Sequence, residues 1–194
     1  MKICIFCGSS SGHDPIYRDG AAAAARAIAL AGATVIFGGG RVGLMGVIAD
    51  AALGAGGEVI GVMPRALVQR EIAHRGLNRL EVVETMHDRK TTMSALADAF
   101  LALPGGAGTL EEIFEQWTWG QLGIHRKPCA FLNLKGYFDP LRGMVEKMVA
   151  EGFLLPQFAT MLMFSDNIES ILAGFQSYQP PLNKWSTDST VVAP

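Results

Sequence analysis

Short continuous apolar runs alternate with helical stretches along this chain, and three of the runs stop at turns rich in glycine. That pattern constrains the fold more than any other feature. A strand with one wet face alternates apolar and polar residues, whereas a strand apolar throughout must be covered on both faces. The runs are Lys2 to Cys7, Thr34 to Phe37, Glu58 to Met63, Leu80 to Val83, Ala99 to Leu103, Cys129 to Leu132 and Met161 to Phe164. Helices are predicted from Asp14-Pro15 to Leu30, from about Gly43 to Ala55, and over Met86 to Asp98. Three more are predicted over Thr109 to Leu122, Asp139 to Glu151 and Asn167 to Gln176. The expectation is an α/β fold: a doubly wound, Rossmann-like parallel sheet of about seven strands with helices on both faces. Ligands of such sheets bind beyond the carboxyl ends of the strands.

One domain is expected over residues 1–178, since 194 residues suit one core and no linker interrupts them. From Gln179 the sequence turns to Pro180-Pro181 and then to a Ser/Thr-rich end, which reads as a C-terminal tail over 179–194. The net charge of −2 excludes the basic excess that a nucleic-acid partner needs. The first apolar run is too short for a signal peptide or a membrane span, so no membrane partner is expected. Cys4 and Cys7 lie three apart on a strand and face opposite ways, which argues against a shared disulfide or metal. Free thiols fit a reducing, cytoplasmic location.

The glycine clusters are Gly8 to Gly12, Gly38 to Gly46 and Gly105 to Gly108. Glycine lets a ligand approach the backbone, so that successive N–H groups converge on an anion at a helix N-terminus. Three such loops at one sheet edge suggest a nucleotide-sized site, with Ser9 and Gly40 among its lining. Gly38-x-Gly40-x-x-Gly43 has dinucleotide-fingerprint spacing, but it follows the second strand, and the next strand ends without the acidic residue a ribose would need. A tight strand-to-helix turn explains it equally well.

Met86-His-Asp-Arg-Lys90 begins a helix, where cations are unfavourable unless an anion is near. Arg89 is therefore a candidate to bind an anionic ligand, with Lys90 and Met86 beside it. His13, His74, His87 and His125 stand apart from one another, so no metal site is expected. Thr109-x-x-Glu112 matches a capping box, in which Thr109 caps the helix and Glu112 reaches back. Capping and catalysis both remain open for Glu112, and Glu111 can serve as a favourable first-turn charge.

Pro104-Gly-Gly-Ala-Gly-Thr-Leu-Glu-Glu112 with Arg89-Lys90 upstream resembles the signature of the LOG ("Lonely Guy") family of cytokinin riboside 5′-monophosphate phosphoribohydrolases. Phe6 to Gly12, Gly38 to Gly46, Arg70-Glu-Ile72 and Trp119 to Ile124 extend the resemblance, which is dense from Lys2 to Tyr137. It implies hydrolysis of the N-glycosidic bond of an adenine nucleoside 5′-monophosphate, AMP or an N6-prenylated relative, to free base and ribose 5-phosphate. The family's catalytic pair falls on Arg89 and Glu112. Its substrate-binding positions fall on Glu71, Arg89, Lys90, Gly105, Gly106, Ala107, Gly108, Thr109, Leu110 and Glu111. Ala107 occupies a position where many relatives have Tyr. The resemblance implies a homodimer and no cofactor. Relatives have also been labelled lysine decarboxylases, yet no lysine here stands in a pyridoxal phosphate context. Two rival readings are a nucleotide or cofactor carrier without turnover and, on the Gly38 motif, a nicotinamide-dependent oxidoreductase.

Overall fold

The computed structural model describes residues 1–70 and 72–185. Seven parallel strands form one sheet: β1 (Lys2–Phe6), β2 (Thr34–Phe37), β3 (Val59–Pro64), β4 (Arg79–Val83), β5 (Ala99–Ala102), β6 (Cys129–Leu132) and β7 (Leu162–Ser165). Their order is β4-β3-β2-β1-β5-β6-β7, so the winding reverses at β1. The helices are α1 (Pro15–Leu30), α2 (Gly43–Gly54), α3 (Arg65–Val68), α4 (Met86–Leu96), α5 (Ala107–Gln121), α6 (Asp139–Ala150), α7 (Pro156–Ala159) and α8 (Ile168–Ser177). One 3₁₀ turn, Leu134–Gly136, follows β6. The expected doubly wound α/β fold is therefore present, and each expected strand lies within two residues of its place.

The continuous apolar runs divide their side chains between two cores. Ile3 and Ile5 of β1 join Val35, Phe37 and Leu101 beneath α1, α2 and α8. Cys4 and Phe6 join Ile36, Phe100 and Phe131 beneath α4, α5 and α6. Cys4 and Cys7 thus do face opposite ways: Cys4 sits in the second core and Cys7 packs against the first. The alanine run of α1 buries Ala21, Ala24 and Ala25, and these small side chains let α2 approach with Ala49 and Ala52. Burying such faces at about 25 cal/mol per Å² of apolar surface holds the layers together.

Two short helices, α3 and α7, and the 3₁₀ turn fall where the sequence carries no periodic signal, being too short to show one. Residues 179–185 run back over the end of α5, where the Lys184 N–H donates to the Gln121 carbonyl at 3.0 Å. The Gln157 amide also donates to the Leu182 carbonyl at 3.2 Å. The rest of the expected tail, 186–194, lies outside the described residues.

Candidate functional site

β1 and β5 are neighbours that feed α1 and α5 on opposite faces of the sheet, and a crevice opens between their carboxyl ends. The turn Pro104 to Gly106 closes against the β1 loop, with the Gly8 N–H donating to the Pro104 carbonyl at 3.1 Å. Gly105 lies so near Thr109 Oγ1 and the Gly8 amide that a Cβ there would overlap both. Only glycine allows this approach.

α5 begins at Ala107, two residues before the sequence reading put it, with Gly106 as its N-cap and no side chain capping it. The predicted capping box is therefore absent. Thr109 occupies the third helical position, buried to 4% exposure, and Glu112 lies almost a full turn further on. Glycine at 105 and 106 lets the chain turn into the helix early, so Thr109 lies inside α5 instead of at its start. The first amides of α5 are consequently left without a side-chain cap. A real capping box stands at α4 instead. Thr85 accepts from the Asp88 N–H at 3.0 Å, and Asp88 accepts from the Thr85 N–H at 3.0 Å. This commits the Asp88 carboxylate to capping α4.

The uncapped turn borders a cavity of about 310 Å³ lined by Gly8, Ser9, Gly38, Met45, Arg89, Met93, Gly106 to Thr109 and Glu112. Cys7 also lines it, but burial first and the Glu112 charge second hold its thiol protonated. Arg89 crosses from α4 over the ends of β3 and β2. Its Nε donates to the Val62 carbonyl at 3.2 Å, and its Nη1 lies 3.7 Å from Glu112 Oε1. A Cβ on Gly38 would overlap the guanidinium, so the first glycine of the dinucleotide-like motif makes room for an arginine. Burial raises the Glu112 carboxyl above its usual range, while the Arg89 charge pulls the other way. The pair is 13% and 15% exposed.

Of the sequence candidates, Arg89, Glu112, Ser9, Gly106, Ala107, Gly108 and Thr109 come together here, and Gly105 forms the adjoining wall. Lys90 turns away to Glu111 at 2.5 Å and Glu115 at 3.0 Å, its pKa raised chiefly by the Glu111 hydrogen bond. Leu110 and Met86 do not border the cavity, and Gly40 instead forms an isolated bridge with Ala73. Glu71 lies outside the described residues. The lining residues not singled out from sequence are Ile5, Phe6 and Cys7 at the end of β1, the glycines Gly8 and Gly38, and the methionines Met45 and Met93. Both glycines stood in clusters already marked, whereas the methionines carried no local signal. Among the described residues, no His/Cys/Asp/Glu group is arranged for a metal, and no helix is long and apolar enough to cross a membrane.

A doubly wound sheet with an uncapped helix N-terminus and a largely buried Arg–Glu pair at its switch point defines a Rossmann-like protein with a charged crevice at its ligand-binding edge. The family model described as "possible lysine decarboxylase" matches residues 45–175. A cytokinin riboside 5′-monophosphate phosphoribohydrolase of Rhodococcoides fascians is 44% identical over 91% of this chain and 89% of its own length. The Arabidopsis thaliana enzyme of that name, LOG7, is 41% identical over 94% of this chain and 84% of its own. The chain belongs to this family, the LOG phosphoribohydrolases. Among solved structures, the molybdenum cofactor binding protein of Rippkaea orientalis aligns over 91% of this chain and 95% of its own. The TM-score is 0.68 at 18% identity, a likeness of fold alone.

Proposed function

We propose that the protein hydrolyses the N-glycosidic bond of adenine nucleoside 5′-monophosphates, releasing the base and ribose 5-phosphate. The observation that carries this reading is the Arg89–Glu112 pair set beside the uncapped N-terminus of α5. The amides of Gly106 to Thr109 would hold the 5′-phosphate, helped by the helix dipole. Glu112, further along the same cavity, would then face the ribose. As the bond to the base breaks, its electron pair leaves with the base nitrogen and positive charge grows on the sugar. A carboxylate stabilises that charge and accepts a proton from the water that adds to the anomeric carbon; solvent carries that proton on to the base nitrogen, so the base leaves neutral and Glu112 is restored. Arg89 keeps Glu112 ionised and oriented. The relatives named for this reaction support the assignment.

Lysine decarboxylation by a pyridoxal Schiff base requires a lysine whose amine loses its proton readily. Lys90 is held by two carboxylates and its pKa moves upward, so it does not fit that role. The same proposal includes a homodimer, on the family resemblance, and a cytoplasmic location, on three free cysteines.

The test is release of adenine and ribose 5-phosphate from AMP, against adenosine as control. The wild type should cleave AMP and leave adenosine intact; Arg89→Ala and Glu112→Gln should each lose about 100-fold or more in kcat. AMP and its N6-isopentenyl relative both intact after prolonged incubation would point to a carrier and end the hydrolase reading. Comparable cleavage of adenosine would remove the phosphate from the argument.

A further inference from the structure

The turn that forms the anion cradle has a second face. On the α1 side of the same crevice, a cavity of about 280 Å³ is lined by Gly8 to Gly12, Tyr17, Leu44, Pro104 to Gly106 and Tyr137. It shares Gly8, Ser9 and Gly106 with the charged cavity, so the Gly105–Gly106 peptide is the wall between them. The Tyr137 hydroxyl reaches this wall and donates to the Gly105 carbonyl at 2.7 Å.

That tyrosine is delivered by a loop shaped for it. After β6 the chain kinks through Lys135, at φ 54°, and Gly136, at φ 70°. A non-glycine residue in this region is uncommon and persists where its surroundings hold it. Lys135 is tied to Asp14 at 2.7 Å, and the Asn133 carboxamide accepts from the Phe138 N–H at 2.6 Å. The Tyr137 ring stands edge-on to Tyr17, with centroids 5.6 Å apart, and edge-on to Phe138 at 5.0 Å. Its orientation is therefore set by α1 and the β6–α6 loop, independently of the hydroxyl.

A trans peptide holds its C=O and N–H antiparallel in one plane. Fixing the Gly105 carbonyl toward Tyr137 therefore fixes the Gly106 N–H toward the opposite side, where Gly106 borders the charged cavity. Two adjacent glycines have no side chains to hold that plane, and without an anchor the peptide can flip. We propose that Tyr137 is a positioning residue of the cradle: its hydroxyl aims the Gly106 amide at the substrate's phosphate. The identity of that anion rests on the phosphoribohydrolase reading; the geometry of the anchor does not.

Tyr137→Phe removes the hydroxyl and keeps the ring. The experiment measures its Kd for ribose 5-phosphate by calorimetry, its KM and kcat for AMP, and its thermal unfolding. The expected result is a Kd and KM raised about threefold to tenfold, the worth of one neutral hydrogen bond. The kcat should stay within about twofold, because the hydrogen bond lies on the phosphate side of the site. A lowered unfolding temperature with Kd and KM unchanged would reduce Tyr137 to a structural contact and overturn the inference, leaving the hydrolase reading intact. Conversely, a wild type that binds ribose 5-phosphate but leaves both AMP and its N6-isopentenyl relative whole would end the hydrolase reading, while a raised Kd in Tyr137→Phe would still uphold the anchor.

Discussion

Glu112 answers to two demands that pull against each other. As the carboxylate facing a cationic transition state it must be ionised, yet its burial favours the protonated form and raises its pKa. The sign of the consequence follows from linkage. A carboxyl whose folded pKa lies above its unfolded one stabilises the fold below the unfolded value, and loses that contribution as pH rises through the folded value. At neutral pH the charged Glu112 therefore costs stability. Glu112→Gln should unfold at a higher temperature than wild type at pH 7, with the gap closing as pH falls through the glutamate range; melting curves across pH check this. The same raised pKa should place the acid limb of kcat/KM for AMP above the ordinary glutamate range. A gap that widened toward acid would contradict the assigned direction. Glu111 shows the contrast: one residue earlier it points to Lys90 at 2.5 Å, so its charge is compensated away from the cavity.

At the level of elements, two helix N-termini stand side by side with opposite chemistry. α4 is closed by the reciprocal Thr85–Asp88 box, and α5 is left open. The closed one carries Arg89 three residues past its start, so the cap keeps the first turn intact beneath the guanidinium. Thr85→Ala should cost about 1 kcal/mol, the usual loss on deleting an N-cap. In a chain this size that lowers the melting temperature by roughly 2–4 °C. The drop should be the same with and without ribose 5-phosphate if the cap is structural only. The T-x-x-E spacing at Thr109 was a sound pattern in the wrong helix. A local rule registers which residues can cap, but the actual start of α5 was decided by Gly105 packing against Gly8 and Thr109. The short α3 and α7 escaped detection because four residues cannot display a helical period.

For the whole molecule, stability rests on a sheet whose neighbours in space are far apart in sequence: β1 pairs with both β2 and β5. Phe131, fully buried in β6, stacks on Phe164 at 4.7 Å and meets Phe138 edge-on at 4.9 Å, joining β6, β7 and the loop that carries Tyr137. Phe131→Ala should cost about 3–5 kcal/mol, the range for emptying an aromatic from a core. Chemical denaturation should show this as a lower midpoint at unchanged slope; a changed slope would mean the denatured state had altered instead. Much of this architecture was legible in the chain. Short apolar runs alternating with helical stretches point to strands covered on both faces, and glycine after a run marks the end where a ligand approaches. Arg89 stood out because a cation near a helix N-terminus is out of place without an anion. What sequence could not supply was the meeting of groups from different elements: Arg89 with Glu112, the overlap that reserves Gly38 for the guanidinium, and the reach of Tyr137 to Gly105. Periodicity, propensity and turn chemistry act over a few residues, so the chain by itself determined the layers and their ligand-binding edge. The direction of each side chain at that edge depends on close packing between distant segments, and only the tertiary structure decided it.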